Sequence, residues 1–263
     1  MTSKKITELN AVTSLVDTDL FPVVQDVPTV PVTKKTTFLK IKEALLAYFN
    51  YYYTQIDGWI PAVVPWTYAS ATTFTVSGDV TTFFPKGTKI KLIQTTAKYF
   101  YVTSAVYASP NTTVTVTGGS DYTLSNAAIT SAWYSYAETP QGFPDWFNWT
   151  PSFTGFSTNP VGTHRFKISG KVIFLQIYHY TPGTSNSASF IMTAPVKAVN
   201  LPNTYWSTPI RVMDNNTIQT SPGFIYIGAD SENLVTGKTM ATGGGFTASG
   251  NKSITSLNFF YEI

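Results

Sequence analysis

The chain has 263 residues and a net charge of +3, with 12% charged side chains against 15% aromatics; charged residues usually make up about a quarter of a globular chain. No basic cluster builds a phosphate-binding stripe, so nucleic acid is not an expected partner. Cysteine is absent, which excludes disulfides, thiolate metal sites and cysteine nucleophiles. A surface so poor in ions must be made largely of Thr, Ser, Asn, Tyr and Gly, which suits sugars or neighbouring subunits.

Residues 1–35 hold too few apolar side chains to build a core alone. Ile6, Leu9, Leu20, Phe21 and Val23 are the main ones, and Pro22, Pro28 and Pro31 favour extended chain. Such a segment is expected to lie along a partner surface or to fold back over its own helix. Asp17 and Asp19 read as turn or cap carboxylates rather than a metal pair. The opening MTSKKITELNAV lacks an apolar signal core, and no run approaches the roughly 18 apolar residues of a membrane span. Export by a signal and membrane insertion are therefore not expected.

Residues 36–56 are the one long helix-compatible stretch. Phe38, Ile41, Leu45, Tyr48 and Tyr52 fall at alternating steps of three and four, the spacing of a coiled-coil seam. Leu39, Leu46 and Tyr53 form a second apolar row. A helix this short is marginal alone, so an oligomerising stalk is expected, with an ordinary helix packed on its own domain as the plainer alternative.

The pattern Lys5-Ile6-Thr7-Glu8-Leu9, then Asp17-Thr18-Asp19-Leu20-Phe21-Pro22-Val23-Val24, then Thr33-Lys34-Lys35-Thr36 with Leu39 resembles the N-terminal module of tailed-phage fibre, spike and appendage proteins. It covers about the first 50 residues. The resemblance implies a virion protein, made in the bacterial cytoplasm and displayed on the particle. Its N-terminus would attach to tail, neck or capsid proteins, just before a homotrimeric stalk.

Residues 57–146 read as a small antiparallel β domain behind a Pro-interrupted link, 57–70. Strands are expected at Thr73–Val76, Val80–Phe84, Lys89–Gln94, Lys98–Val106, Thr112–Val116 and Ala132–Tyr136, with turns at Gly78-Asp79, Pro85-Lys86-Gly87 and Gly118-Gly119. The phrases FTVSGDVTTFFPKGTKIKL and KYFYVTSAVY look like a domain recurrent in phage structural proteins. A second link, Pro140 to Pro151, carries Phe143, Trp146, Phe147 and Trp149. Four aromatics in seven residues need burial and are expected to fill the joint between the β domains; an exposed ligand platform is the competing reading.

Residues 147–263 read as a C-terminal β-sandwich or jelly roll. Strands are expected at Thr163–Ser169, Lys171–Tyr180, Ser189–Thr193, Thr208–Met213, Gly223–Gly228 and Ser253–Tyr261. Ile173, Leu175 and Ile177 would share one face, as would Leu257, Phe259 and Tyr261. The final strand is expected to be central or at a subunit interface. WTPSFTG and HRFKISGKVIFLQI are similar to C-terminal head domains of phage fibres. The fold class is thus mainly β: an extended anchor, a stalk helix, a small antiparallel domain and a β-sandwich head.

Chemistry has few places to live. His164 and His179, fifteen residues apart, share no turn or helix face, and no HExxH, GxSxG, P-loop or dinucleotide glycine pattern occurs. No metal, cofactor or catalytic residue is expected. Glycan cleavage needs two carboxylates at a defined separation, and the last domain offers only Asp214, Asp230, Glu232 and Glu262. Passive binding fits better, because aromatic rings stack on sugar faces while amides and hydroxyls meet their edges. Tyr178, His179, Tyr180, Tyr205 and Trp206 are the candidate ligand residues, with core or interface filling as the bland alternative. The expected function is host-surface adhesion, to glycan or protein, by a trimeric virion fibre. The rivals are a structural head or neck decoration and a capsule depolymerase.

Overall fold

A computed structural model describes residues 18, 20–25, 32–240 and 242–263; for 20–25, 32–35 and 50–56 it describes the backbone only. The fold is mainly β, with several antiparallel sheets and, among the described residues, one α-helix. One compact unit ends at Asp57 and a second spans Gly58–Ile263.

In the first unit, Leu20–Gln25 pairs antiparallel with Val32–Thr37, in a register that sets Phe21 against Thr36. The helix Phe38–Ile56 follows at once. Thr37 turns the strand into the helix: its Oγ1 accepts the Lys40 N–H at 3.2 Å, a donor otherwise orphaned in the first turn.

In the second unit, residues 58–135 build a seven-stranded antiparallel sheet. Its order is Ile60–Pro61, Ser131–Ser135, Lys89–Gln94, Thr96–Ala108, Asn111–Thr117, Thr73–Ser77 and Trp66–Ser70. The link expected at 57–70 is therefore half strand, at Ile60–Pro61 and Trp66–Ser70. Pro61 sits on the outermost strand, where a missing N–H costs no ladder bond. Val80–Phe84 is not a strand. Asp79 Oδ1 takes both the N–H and the hydroxyl of Thr81, at 3.1 and 2.8 Å, and the chain tightens into a 3₁₀ turn over Thr81–Phe83. That turn delivers Phe84 to the core, edge-on to Trp66 at 5.5 Å, while Trp66 stacks on Phe74 at 4.4 Å.

Residues 147–263 form three further sheets around one core. A four-stranded sheet runs Phe147–Asn148, Val161–Ser169, Val172–Thr181, Leu257–Glu262. A five-stranded sheet runs Phe153–Thr154, Ile191–Thr193, Asn233–Gly237, Gly223–Gly228, Tyr205–Ile210. The other five-stranded sheet runs Phe156–Thr158, Gly183–Ser185, Asn251–Ile254, Val212–Asp214, Thr217–Ile218. The strand expected at Thr208–Met213 breaks at Arg211, and the one expected at Ser253–Tyr261 breaks at Thr255-Ser256. At both places the chain passes from one sheet to another, and the two breaks meet where Thr255 N–H donates to Arg211 O at 3.2 Å. Among the described residues the final strand pairs only with Val172–Thr181, so it is the outer strand of its sheet rather than a central one. On its far side Val199 N–H donates to Glu262 O.

Two buried ions stitch this core. Asp214 accepts the Thr247 N–H and hydroxyl and the Lys238 ammonium, at 2.9, 2.8 and 2.7 Å. Burial would raise its pKa, but these hydrogen bonds outweigh it and hold the carboxyl below the usual range. Lys252, fully buried, donates to Ser187 O and Ser189 O and lies over the rings of Phe156 and Phe246. Burial lowers its pKa to about 8.

The joint between the seven-stranded sheet and the sheets beyond it is aromatic. Phe147, with no exposed surface, packs on Tyr101 at 5.3 Å, Phe143 at 5.4 Å, Phe166 at 5.8 Å and Tyr122 at 6.0 Å. Polar bonds fix the same seam: Asn148 N–H and Nδ2 reach the Asp121 carboxylate at 2.8 and 3.0 Å, and Ser120 N–H donates to Asn148 O. Gly119, at φ +60°, lies so close to Asn148 O that no Cβ could fit.

Candidate functional site

Strand alternation decides what the four-stranded sheet shows outward. In Val172–Thr181 the odd residues Ile173, Leu175, Ile177 and His179 are buried, and the even ones Phe174, Gln176, Tyr178 and Tyr180 face away from the core. The turn Gly170-Lys171 sets the register, placing Lys167 opposite Phe174, Arg165 opposite Gln176 and Thr163 opposite Tyr178. The last strand adds Phe260 beside Phe174 and Asn258 beside Gln176.

The result is a surface of two cross-strand rows. In one, Arg165 Nε donates to Gln176 Oε1 at 2.5 Å, and Gln176 Nε2 donates to Asn258 Oδ1 at 3.4 Å. In the other, Lys167 lies over the rings of Trp146 (5.2 Å) and Phe174 (5.7 Å), while Phe260, largely exposed, stands 6.1 Å from Phe174. Arg165 also covers Trp146, at 5.0 Å. Tyr178 and Tyr180 continue the face, 49% and 60% exposed with ring centroids 6.4 Å apart. A depression of about 380 Å³ lies between Arg165, Gln176, Tyr178 and Asn258. Flat rings beside amide and guanidinium groups are what a sugar ring needs, stacking below and hydrogen bonds at its edge.

The five residues singled out from the sequence do not form one site. Tyr178 and Tyr180 share the face just described. Tyr205, 69% exposed, sits on a different sheet, 5.9 Å from Tyr226. Trp206 packs against the core. His179 is a correction: it is one step out of phase with its tyrosine neighbours, so it points inward and is buried.

There His179 meets His164, with Nε2 atoms 3.1 Å apart. Neighbouring strands of one hairpin thus bring together two residues that their spacing had kept apart. One Nε2 must donate and the other accept. His179 Nδ1 is buried without a partner among the described residues, so the shared proton belongs on His179 Nε2, leaving a bare lone pair rather than an orphaned N–H. A metal on both Nε2 atoms would force a proton onto that Nδ1 with no acceptor to take it. Burial holds His164 to about 4; burial, with His164 beside it, holds His179 to about 3.

The sign of the pH effect follows. Below about pH 6.5 an unfolded chain protonates both histidines while the folded pair stays neutral. Stability is therefore lost as the pH is lowered from about 6.5, by up to about 1.4 kcal/mol per unit for each histidine, until the folded values are reached. Chemical denaturation of wild type and a His164→Gln/His179→Leu variant should show a steeper loss from pH 7 to 4.5 in the wild type. Equal slopes would refute the neutral pair.

Along the helix, Leu39, Leu45, Leu46 and Phe49 are between 41% and 61% exposed. Of the expected seam, Phe38 and Ile41 are half-buried, Leu45 and Tyr48 exposed, and the Tyr52 side chain lies outside the described residues. Ile6 and Leu9 also lie outside the described residues. Leu20, Phe21 and Val23 are described only as backbone, in the first strand of the hairpin. Among the described residues no helix is long and apolar enough to cross a membrane, and no group of three or more His, Asp or Glu could hold a metal.

Sequence reasoning missed Arg165, Gln176 and Asn258, although counting outward from Gly170 would have paired the first two. Neither a scan against protein-family models nor a search of curated proteins returns a match to this chain.

Proposed function

We propose that the chain is a fibre or spike subunit of a tailed-bacteriophage virion. Residues 1–35 attach it to other virion proteins, 36–56 hold three copies together, and the β-sandwich or jelly-roll head adheres to the host surface, by glycan or protein. It acts by binding rather than catalysis, without a cofactor, and neither enters a membrane nor takes nucleic acid.

The observation that carries this reading is the apolar surface left on Leu39, Leu45, Leu46 and Phe49. Each large apolar side chain contributes about 1.5–3 kcal/mol when buried. A helix with such side chains on several faces is stabilised best by more than one sister copy. Three heads on one stalk also turn weak single contacts into avidity. The outward aromatic and amide rows of the four-stranded sheet support a contact role for the head. Gold-labelled antibody against residues 58–263, applied to phage particles, should decorate projections; particles without label would defeat the assignment.

A further inference from the structure

The joint between the seven-stranded and four-stranded sheets encloses a cleft of about 440 Å³, within the range of small-molecule sites, which favour such seams. Lys89 lies in its wall, only 8% exposed, while Glu138 and Asp145 are exposed at its mouth. Trp146, Lys167 and Phe174 also line it, so the cleft adjoins the aromatic row described above.

Lys89 is the unusual member. Its ammonium has three donors but, among the described residues, donates only to Ala137 O, at 3.0 Å. The rings of Tyr101 and Phe143 stand 5.9 and 5.8 Å away, and no carboxylate of a described residue is within ion-pair distance. Burial pulls its pKa below the usual lysine value, with Glu138 opposing more weakly. A buried cation so thinly compensated is stabilised by any anion that reaches it.

We propose that this cleft binds a saccharide unit bearing a carboxylate. The sugar carboxylate pairs with Lys89, the apolar face of the ring lies against Trp146 and Phe174, and Glu138 and Asp145 accept from its hydroxyls. This rests on the adhesion reading and names its ligand class and its location, away from Tyr205.

The test uses the full chain with glucuronate and glucose as probes, by calorimetry and by amide and indole chemical shifts. Glucuronate should bind more tightly than glucose by about 10- to 100-fold, the range of a charge-assisted hydrogen bond. Lys89→Met should erase that preference, and Trp146→Ala should weaken both sugars. Should Lys89→Met fold poorly, wild-type shifts on adding glucuronate still locate the site, at the Trp146 indole and the Phe143 amide. Equal affinity for the two sugars, binding of neither, or shifts confined elsewhere would overturn the cleft. Host-cell binding that survives Lys89→Met also overturns it while leaving adhesion intact, whereas a wild-type chain that binds no host cells defeats adhesion itself.

Discussion

In light scattering the chain should run at three times the 28.9 kDa of one copy, and Leu45→Asp should return it to single copies. Leu45 is half exposed on the helix, so within one chain the change touches little and a helical surface position tolerates it within about 0.5 kcal/mol. In a three-stranded seam the same change brings three carboxylates into one desolvated layer, where they lose their water and repel one another. The thermal melt of the β unit should stay where it was, because the helix belongs to the other compact unit. A wild-type chain that is already a single copy or a dimer would sink the trimeric stalk.

Phe147→Ala should cost about 3–5 kcal/mol, the range for a large aromatic removed from a packed core. Its ring is sealed from solvent between Tyr101 and Tyr122 on one side of the joint and Phe166 on the other. Total stabilities are about 5–15 kcal/mol, so the variant should lose a large share of its denaturation midpoint. Tyr205→Ala, at a surface position of the first five-stranded sheet, is the control and should shift by no more than about 0.5 kcal/mol. A loss below about 1 kcal/mol for Phe147→Ala would mean that the joint collapses around the gap and the two halves are not held there.

The alternation in Lys171–Tyr180 and in the last strand was readable in advance. Ile173, Leu175, Ile177, Leu257, Phe259 and Tyr261 are all buried, and their neighbours look outward. Period-two patterning is a local property, written in consecutive side chains. The Trp146 contacts with Arg165 and Lys167 were not readable, since they depend on where an irregular link crosses a sheet. The 3₁₀ turn at Thr81–Phe83 escaped for a different reason. Its apolar and β-branched residues favour a strand, and a single carboxylate, Asp79, overrides that preference.

By itself the order of residues determined a β-rich chain, one helix, the hairpin at Gly170 and which strand faces are apolar, because each follows from neighbours a few positions apart. Only the tertiary structure decided that two apparently continuous strands change sheets at Arg211 and Thr255, that His164 and His179 share a proton, and that Lys89 lines a cleft between sheets. These depend on where distant segments meet, and the free energy that chooses among such meetings comes from burying whole faces together rather than from any local motif.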